Sequence, residues 1–259
     1  MEPPHNAGQS ITGAFEGWYS NPDGTSTILV GYFNRNLQQE LDIPIGPNNK
    51  IEPGPADQGQ PTHFLPGRQW GVFTITVPKD FGEKRLNWTI VANGKPTVIP
   101  LDVNPLYIVS PFVDAGGNTP PFIGFDPTVK PMWGPPRDIS RSFTTSVASP
   151  LELPVWVADD AKNPYSMGKL PIPVVLLTWS KFRGPGDVKF SSAKPRVEEM
   201  PWKAPSPAVF TGKASTTATF SEPGEYVLEI VANDWSGDGG RGFQCCWSTA
   251  QVKVSVTKP

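Results

Sequence analysis

The chain has 259 residues and a net charge of −2, with a pI near 5.7, so it offers no basic surface for counterion release and nucleic acid is not an expected partner. Its 32 prolines and 25 glycines cut it into short segments, while nine tryptophans and 14 phenylalanines supply the apolar area that a disordered chain lacks. Two domains, each with its own core, are expected at this length, and no transmembrane segment is, because the longest apolar run, residues 171–177, is strand-sized.

Residues 1–12 read as a flexible lead-in. The opening MEPPHNAGQS has neither a basic nor an apolar stretch, so no signal peptide is visible. Proline- and tryptophan-rich chains of two sandwiches are more typical of exported proteins, which makes a periplasmic or extracellular location the expectation and a cytosolic one the alternative. A first strand is expected over 14–19, closed by the turn Asn21-Pro22-Asp23-Gly24. A second follows over 25–34, with Ile28, Val30 and Tyr32 on one face and Leu29 and Phe33 on the other.

A short edge strand over 41–45 carries Pro44, residues 46–61 read as a loop, and WGVFTITV over 70–77 is a clear strand. Asn93-Gly94 between two alternating runs predicts a two-residue type I′ hairpin. Pairing Ala92 with Lys95 then sets Trp88 opposite Ile99 and Leu86 opposite Leu101, which closes a first β-sandwich over 13–104. Residues 105–138 show no sustained period and read as a Pro/Gly-rich linker, packed along both domains by its apolar members Phe112, Phe122 and Trp133.

A second sandwich is expected over 139–259, with one or two strands in 146–158, another over 174–180 and short ones over 188–191 and 217–220. The stretch 217–256 organises this half. After the turn Glu222-Pro223-Gly224, Tyr226, Leu228 and Ile230 alternate with Glu225, Val227, Glu229 and Val231, and Val252, Val254 and Val256 share a face. A tyrosine just past such a turn is the mark of the E–F corner of immunoglobulin-like sandwiches, and Trp179 falls where those domains keep a core tryptophan. No helix of two turns is supported, so the fold class is all-β, two β-sandwich domains joined by a linker.

The runs LTWSKFRGPGDVKF, TTATFSEPGEYVLEIVAND and QVKVSV resemble PKD-type and related immunoglobulin-like modules of bacterial surface proteins, over about residues 140–257. The segments GYFNRNLQQELDIPIGPNN, GQPTHFLPGRQW and VPKDFGEKRLNWT are similar to the amino-terminal part of uncharacterised bacterial exported proteins that carry the same module. The resemblance implies a fold and the broad roles of spacer, adhesive unit or accessory subunit. It implies no activity.

Asp159 and Asp160 end one strand, and Asn233, Asp234 and Asp238 lie at the end of another. In an immunoglobulin topology the two loops share a pole, where these oxygens either supply a calcium site or cap turns and face water. Cys245 and Cys246 are adjacent, about 3.8 Å apart at Cα across a trans peptide and below the usual disulfide minimum of about 4.4 Å. Two reduced thiols, one of them in the core, are therefore the first expectation and a vicinal disulfide the second. Zinc lacks ligands, since His5 and His63 are the only histidines.

His63 reads as a hydrogen-bonded structural residue rather than a general base, and no hydrolase, metalloprotease, P-loop or dinucleotide motif is present. No catalytic residue is assigned and no enzyme is expected. Trp18, Trp133, Trp202, Trp235 and Trp247 lie near turns or loops, either exposed as stacking platforms or buried under them. The loop over 233–247 holds Trp235, Arg241, Phe243, Cys245, Cys246 and Trp247, which no strand requires, and is the candidate interaction surface. The expected function is a non-enzymatic exported structural or accessory subunit that binds other proteins of a bacterial envelope or extracellular assembly. The alternative is a carbohydrate-binding module that holds glycan on exposed aromatics.

Overall fold

The computed structural model describes residues 5–162, 174–234 and 245–259. It is all-β with several sheets, and it divides into two compact units between Val109 and Ser110. Among the described residues no helix is long and apolar enough to cross a membrane.

The first unit contains β1 (Ile11–Ser20), β2 (Ser26–Asn34), β3 (Leu41–Asp42), β4 (Asn49–Glu52), β5 (His63–Phe64), β6 (Gly67–Val77), β7 (Leu86–Ala92) and β8 (Lys95–Leu101), followed by a 3₁₀ turn at Pro105–Tyr107. One sheet runs β1-β2-β6, a second β4-β7-β8, and β3 pairs with β5. The Asn-Gly turn forms as expected: Asn93 and Gly94 both take positive φ, 50° and 72°. Trp88 pairs with Ile99 and Leu86 with Leu101. Trp88 is the centre of this core, edge-on to Phe73 at 5.1 Å and stacked near Phe64 at 6.3 Å.

Two stretches of the first unit depart from the sequence expectations. The region 46–61, expected as a loop, contains β4. Its first residue, Asn49, is fully buried and serves as a polar core residue: it accepts from Trp88 Nε1 at 3.0 Å and donates to the carbonyls of Ile43 and Pro61. Residues 5–12, within the expected lead-in, are fastened down. Gly8 N and Gln9 N donate to Gln39 Oε1 and Asn36 Oδ1, and Ile11 is fully buried at the start of β1.

A buried ion pair crosses the first sheet. Arg68 Nη2 donates to Glu16, and Gly71 N donates to the other carboxylate oxygen at 2.8 Å. Gly31 makes the crossing feasible, because a Cβ there would collide with Glu16 Oε1, the Gln69 carbonyl and Arg68 Nη1.

The second unit contains β9 (Phe122–Gly124), β10 (Met132–Trp133), β11 (Ile139–Ser146), β12 (Leu151–Asp159), β13 (Val175–Arg183), β14 (Val188–Phe190), β15 (Glu198–Glu199), β16 (Phe210–Phe220), β17 (Gly224–Asp234) and β18 (Trp247–Thr257). One sheet runs β10-β9-β12-β16-β14, with β15 also on β16; the other runs β11-β18-β17-β13, in which β11 is parallel to β18. Leu153, Val155 and Val157 of the first sheet meet Tyr226, Leu228, Ile230 and Trp179 of the second in one core. This is the two-layer arrangement of an immunoglobulin-like sandwich.

The region read as a linker thus supplies β9 and β10 to a sheet, and Ile123 and Phe125 enter its core. Strands of three and two residues are too short to show a period, which is why composition alone suggested a connector.

The expected tyrosine corner is present. Tyr226 Oη donates to the Glu222 carbonyl at 2.8 Å and accepts from Gly186 N at 3.1 Å. The Gly184-Pro185-Gly186 turn belongs to the same device, since a Cβ at Gly184 would strike the Tyr226 ring.

Candidate functional site

The chemistry of the second unit concentrates where two core columns run out. On β12 the buried positions Leu153, Val155 and Val157 are followed by Asp159, and on β17 Leu228, Ile230 and Ala232 are followed by Asp234. The period of two therefore carries two carboxylates into the interior at one end, each with 1% of its surface exposed. Asn233 belongs to the other face of β17 and only partly to the buried set, so it does not join them. Asp238, Trp235, Arg241 and Phe243 lie outside the described residues.

Asp159 Oδ1 accepts from Ala161 N at 2.8 Å, while its Oδ2 has no partner. Burial pushes this carboxyl up to about 8, the Ala161 N–H opposes the shift, and the charges of Asp234 and Asp160 add to it. Asp160, also buried, accepts at Oδ2 from both Thr119 N and Thr119 Oγ1, at 3.0 and 2.9 Å. Lys162 Nζ stands 3.9 Å from Asp160 and donates to the Gly117 carbonyl at 2.5 Å.

Asn118 is the residue that sequence reasoning missed. It is fully buried, its Nδ2 donates to Asp234 Oδ2 at 2.6 Å, and its Oδ1 has no partner. Asp114 holds it in place through a turn: Asp114 Oδ1 accepts from Gly116 N and Asn118 N. The Asp-Ala-Gly-Gly-Asn string was a legible turn signal, but nothing in it shows that the turn folds over a pole more than 100 residues away in sequence.

Against the first expectation of two reduced thiols, Cys245 and Cys246 form a disulfide. The peptide between them is cis and their Cα atoms are 3.1 Å apart, whereas the expectation assumed a trans peptide. Both are buried, and their sulfurs touch the Asn118 carbonyl at 3.7 and 3.3 Å. Trp247 is buried as the first residue of β18. Among the described residues no three carboxylate, imidazole or thiol groups are arranged to hold a metal.

The other candidates have the following partners. His63 is buried between Asp42 Oδ1 at 3.0 Å and Glu40 Oε2 at 3.2 Å. Trp18 Nε1 donates to the Asn104 carbonyl and Trp202 Nε1 to the Val157 carbonyl, while Trp133 stacks on Phe122 at 5.5 Å. Each described tryptophan is buried or half-buried, while Phe33 and Tyr107 are the more exposed rings.

A second surface feature mixes apolar with charged side chains, Asp126 and Lys130 among them. Phe125, Val129, Met132 and Arg141 line a shallow groove beside β10 and β11, the terminal strands of their two sheets. Val129 and Ile139 are exposed at 62% and 41%.

No protein-family model matches the chain, and no curated protein matches it. Solved structures give distant likenesses. Two tandem immunoglobulin domains of titin cover 97% of this chain and 100% of that one, at 10% identity and a TM-score of 0.26. A protein of unknown function from Porphyromonas gingivalis covers 95% and 99%, at 9% identity and 0.24. A domain of intimin covers 95% and 99%, at 11% identity and 0.25. Likeness at these scores assigns neither family nor function.

Proposed function

We propose that the chain is a non-enzymatic, exported structural or accessory protein that docks on other proteins through the sheet edges of its second, PKD-type unit. The observation that carries this reading is the groove beside the terminal strands β10 and β11, where Val129 stays exposed, together with the exposed Ile139 at the start of β11. A terminal strand leaves one row of backbone N–H and C=O groups for an added strand, and flanking apolar side chains supply contact area. Asp126 and Arg141 at the rim provide a pair of opposite charges for orientation. The absence of open tryptophan faces among the described residues favours protein over glycan as the ligand.

Two further features support it. His63 lies between two carboxylates, Asp42 and Glu40, which is consistent with a structural part. The Cys245–Cys246 disulfide favours an oxidising compartment, hence a periplasmic or extracellular location.

The test is affinity purification of the tagged full chain from its source cells, followed by identification of the co-purifying proteins. A stoichiometric partner that is lost when Val129 and Ile139 are both changed to Lys supports the reading. A monomer that brings down no protein and binds glycan overturns it.

A further inference from the structure

We infer that Cys245 and Cys246 are a reversible dithiol–disulfide couple acting on the turn that ends at Asn118, a redox-sensitive device separate from docking. The first ground is what their bond does not join. A disulfide stabilises a fold by closing a loop of the unfolded chain, and the effect grows with the length of that loop. Cys245 and Cys246 are neighbours in sequence, so their bond ties no second segment to β18. It is not placed as a staple.

The second ground is the surroundings of the sulfurs. Cys246 is fully buried and Cys245 is 4% exposed, and their Sγ atoms face the Asn118 carbonyl at 3.3 and 3.7 Å. That carbonyl accepts from Asp114 N at 3.0 Å and keeps a second lone pair. A disulfide has no hydrogen to offer it. Two thiols have, and both sulfurs stand within reach of an S–H···O bond. The surroundings therefore suit the reduced pair as well as the oxidised one.

The third ground is how the carbonyl is held. Asn118 Nδ2 donates to Asp234 Oδ2 at the end of β17, and Thr119 N and Oγ1 donate to Asp160 Oδ2 just beyond β12. Asp114 Oδ1 accepts from Gly116 N and Asn118 N. On the side of β18, Ser248 Oγ donates to the Pro121 carbonyl and accepts from Gly134 N at 2.7 Å. A change at the sulfurs thus reaches a turn bonded to the ends of β12 and β17.

The reductant is a dithiol, either a small molecule or a pair of thiols on a protein. One of its thiolates attacks Cys245 Sγ, the more exposed sulfur, and expels Cys246 as a thiolate, which takes a proton and donates to the Asn118 carbonyl. Its second thiolate then attacks the reductant's own sulfur in the mixed disulfide and releases Cys245, which is protonated in turn. One S–S bond breaks here and one forms in the reductant, and two electrons and two protons pass to the chain. In an oxidising compartment the disulfide is the resting state and the dithiol is the signal.

The experiment treats the full chain, purified without reductant, with dithiothreitol in the absence of denaturant. Free thiols are counted by alkylation and mass spectrometry, and backbone amide signals and thermal unfolding are recorded on the same samples. No free thiol before treatment and both cysteines free after it are expected, with a return to none on oxidation by diamide. The reduced chain should still unfold cooperatively, within a few degrees of the oxidised one. The Asn118 and Thr119 amide signals should move on reduction, while those of Asn93 and Gly94 in the first unit stay fixed. Cys245→Ser combined with Cys246→Ser should fold and show no response to dithiothreitol. Free thiols in the untreated chain, resistance to dithiothreitol until denaturant is added, or loss of cooperative unfolding on reduction would each overturn the proposal. So would Asn118 and Thr119 signals that stay in place, or that move equally in the double variant.

Discussion

The hydroxyl of Tyr226 donates to the Glu222 carbonyl at 2.8 Å while accepting from the Gly186 N–H, so one side chain pins the turn before its own strand to the turn after β13. Tyr226→Phe keeps the ring, which is packed edge-on to Phe220 at 4.8 Å, and removes only the hydroxyl. A buried N–H and a carbonyl then lose their partner, at a cost of about 1–3 kcal/mol. Urea unfolding should show a lower midpoint with an unchanged slope. An unchanged midpoint would mean that water replaces the hydroxyl.

Glu16 and Arg68 make the corresponding test in the first unit. Desolvation raises the Glu16 carboxyl from its ordinary value, and the Arg68 guanidinium is the chief force holding it down. Arg68→Leu leaves a buried carboxylate without its counter-charge and should cost about 3–5 kcal/mol. Part of that loss should return on mild acidification, as Glu16 takes up a proton. Gly31→Ala should be comparably damaging, since the added methyl occupies the path of the ion pair. A Gly31→Ala protein with native stability would show that the pair does not cross there.

What was legible in the sequence follows from side-chain chemistry. The β7–β8 hairpin was readable to the residue because Asn93-Gly94 accepts positive φ and its flanks alternate. The columns of β17 and β18 were readable because Tyr226, Leu228, Ile230, Val252 and Val254 are large and apolar. Only the end of β16 was readable, because its buried face is Gly212, Ala214, Thr216 and Ala218 before Phe220, and small residues do not announce a core. Asp159 and Asp234 were named, with Asp160, Asn233 and Asp238, from the shared pole that an immunoglobulin topology gives the two loops. Asn118 was not, because its role depends on where a turn lands, which no local pattern encodes. Cys245 and Cys246 were misjudged through one assumption about the peptide joining them.

Two buried carboxyls contribute to the dependence of stability on pH, and Glu16 is shifted in the same direction. Asp159 and Glu229 are both pushed up to about 8, in each case chiefly by burial. Unfolded, such groups titrate near about 4. Each therefore binds its proton more tightly in the folded chain. Their stabilising contribution is complete below about pH 4 and is lost as pH rises through about 8. In calcium-free buffer the unfolding temperature should fall between about pH 5 and pH 9, by several degrees or more. Combining Asp159→Asn with Glu229→Gln should flatten that slope. A wild-type curve that rises across the window would contradict both assignments.

Asn49 offers the sharpest test of a polar residue acting as core. It is fully buried and serves three groups at once: Trp88 Nε1 at 3.0 Å, the Ile43 carbonyl at 2.9 Å and the Pro61 carbonyl at 2.7 Å. Asn49→Ala strands all three, and at about 1–3 kcal/mol for each unsatisfied group, less what water recovers, a loss of about 3–5 kcal/mol is expected. Trp88→Phe strands only Asn49 Oδ1, though it also opens a cavity beside Phe73 and Phe64. The two losses should not add. Once Asn49 is gone, Trp88→Phe no longer breaks a hydrogen bond and removes an unsatisfied donor instead, so the double variant should be more stable than the sum predicts by about 1–2 kcal/mol. Chemical unfolding of the four proteins closes the cycle, and strict additivity would show that the indole and the amide stabilise the first unit independently.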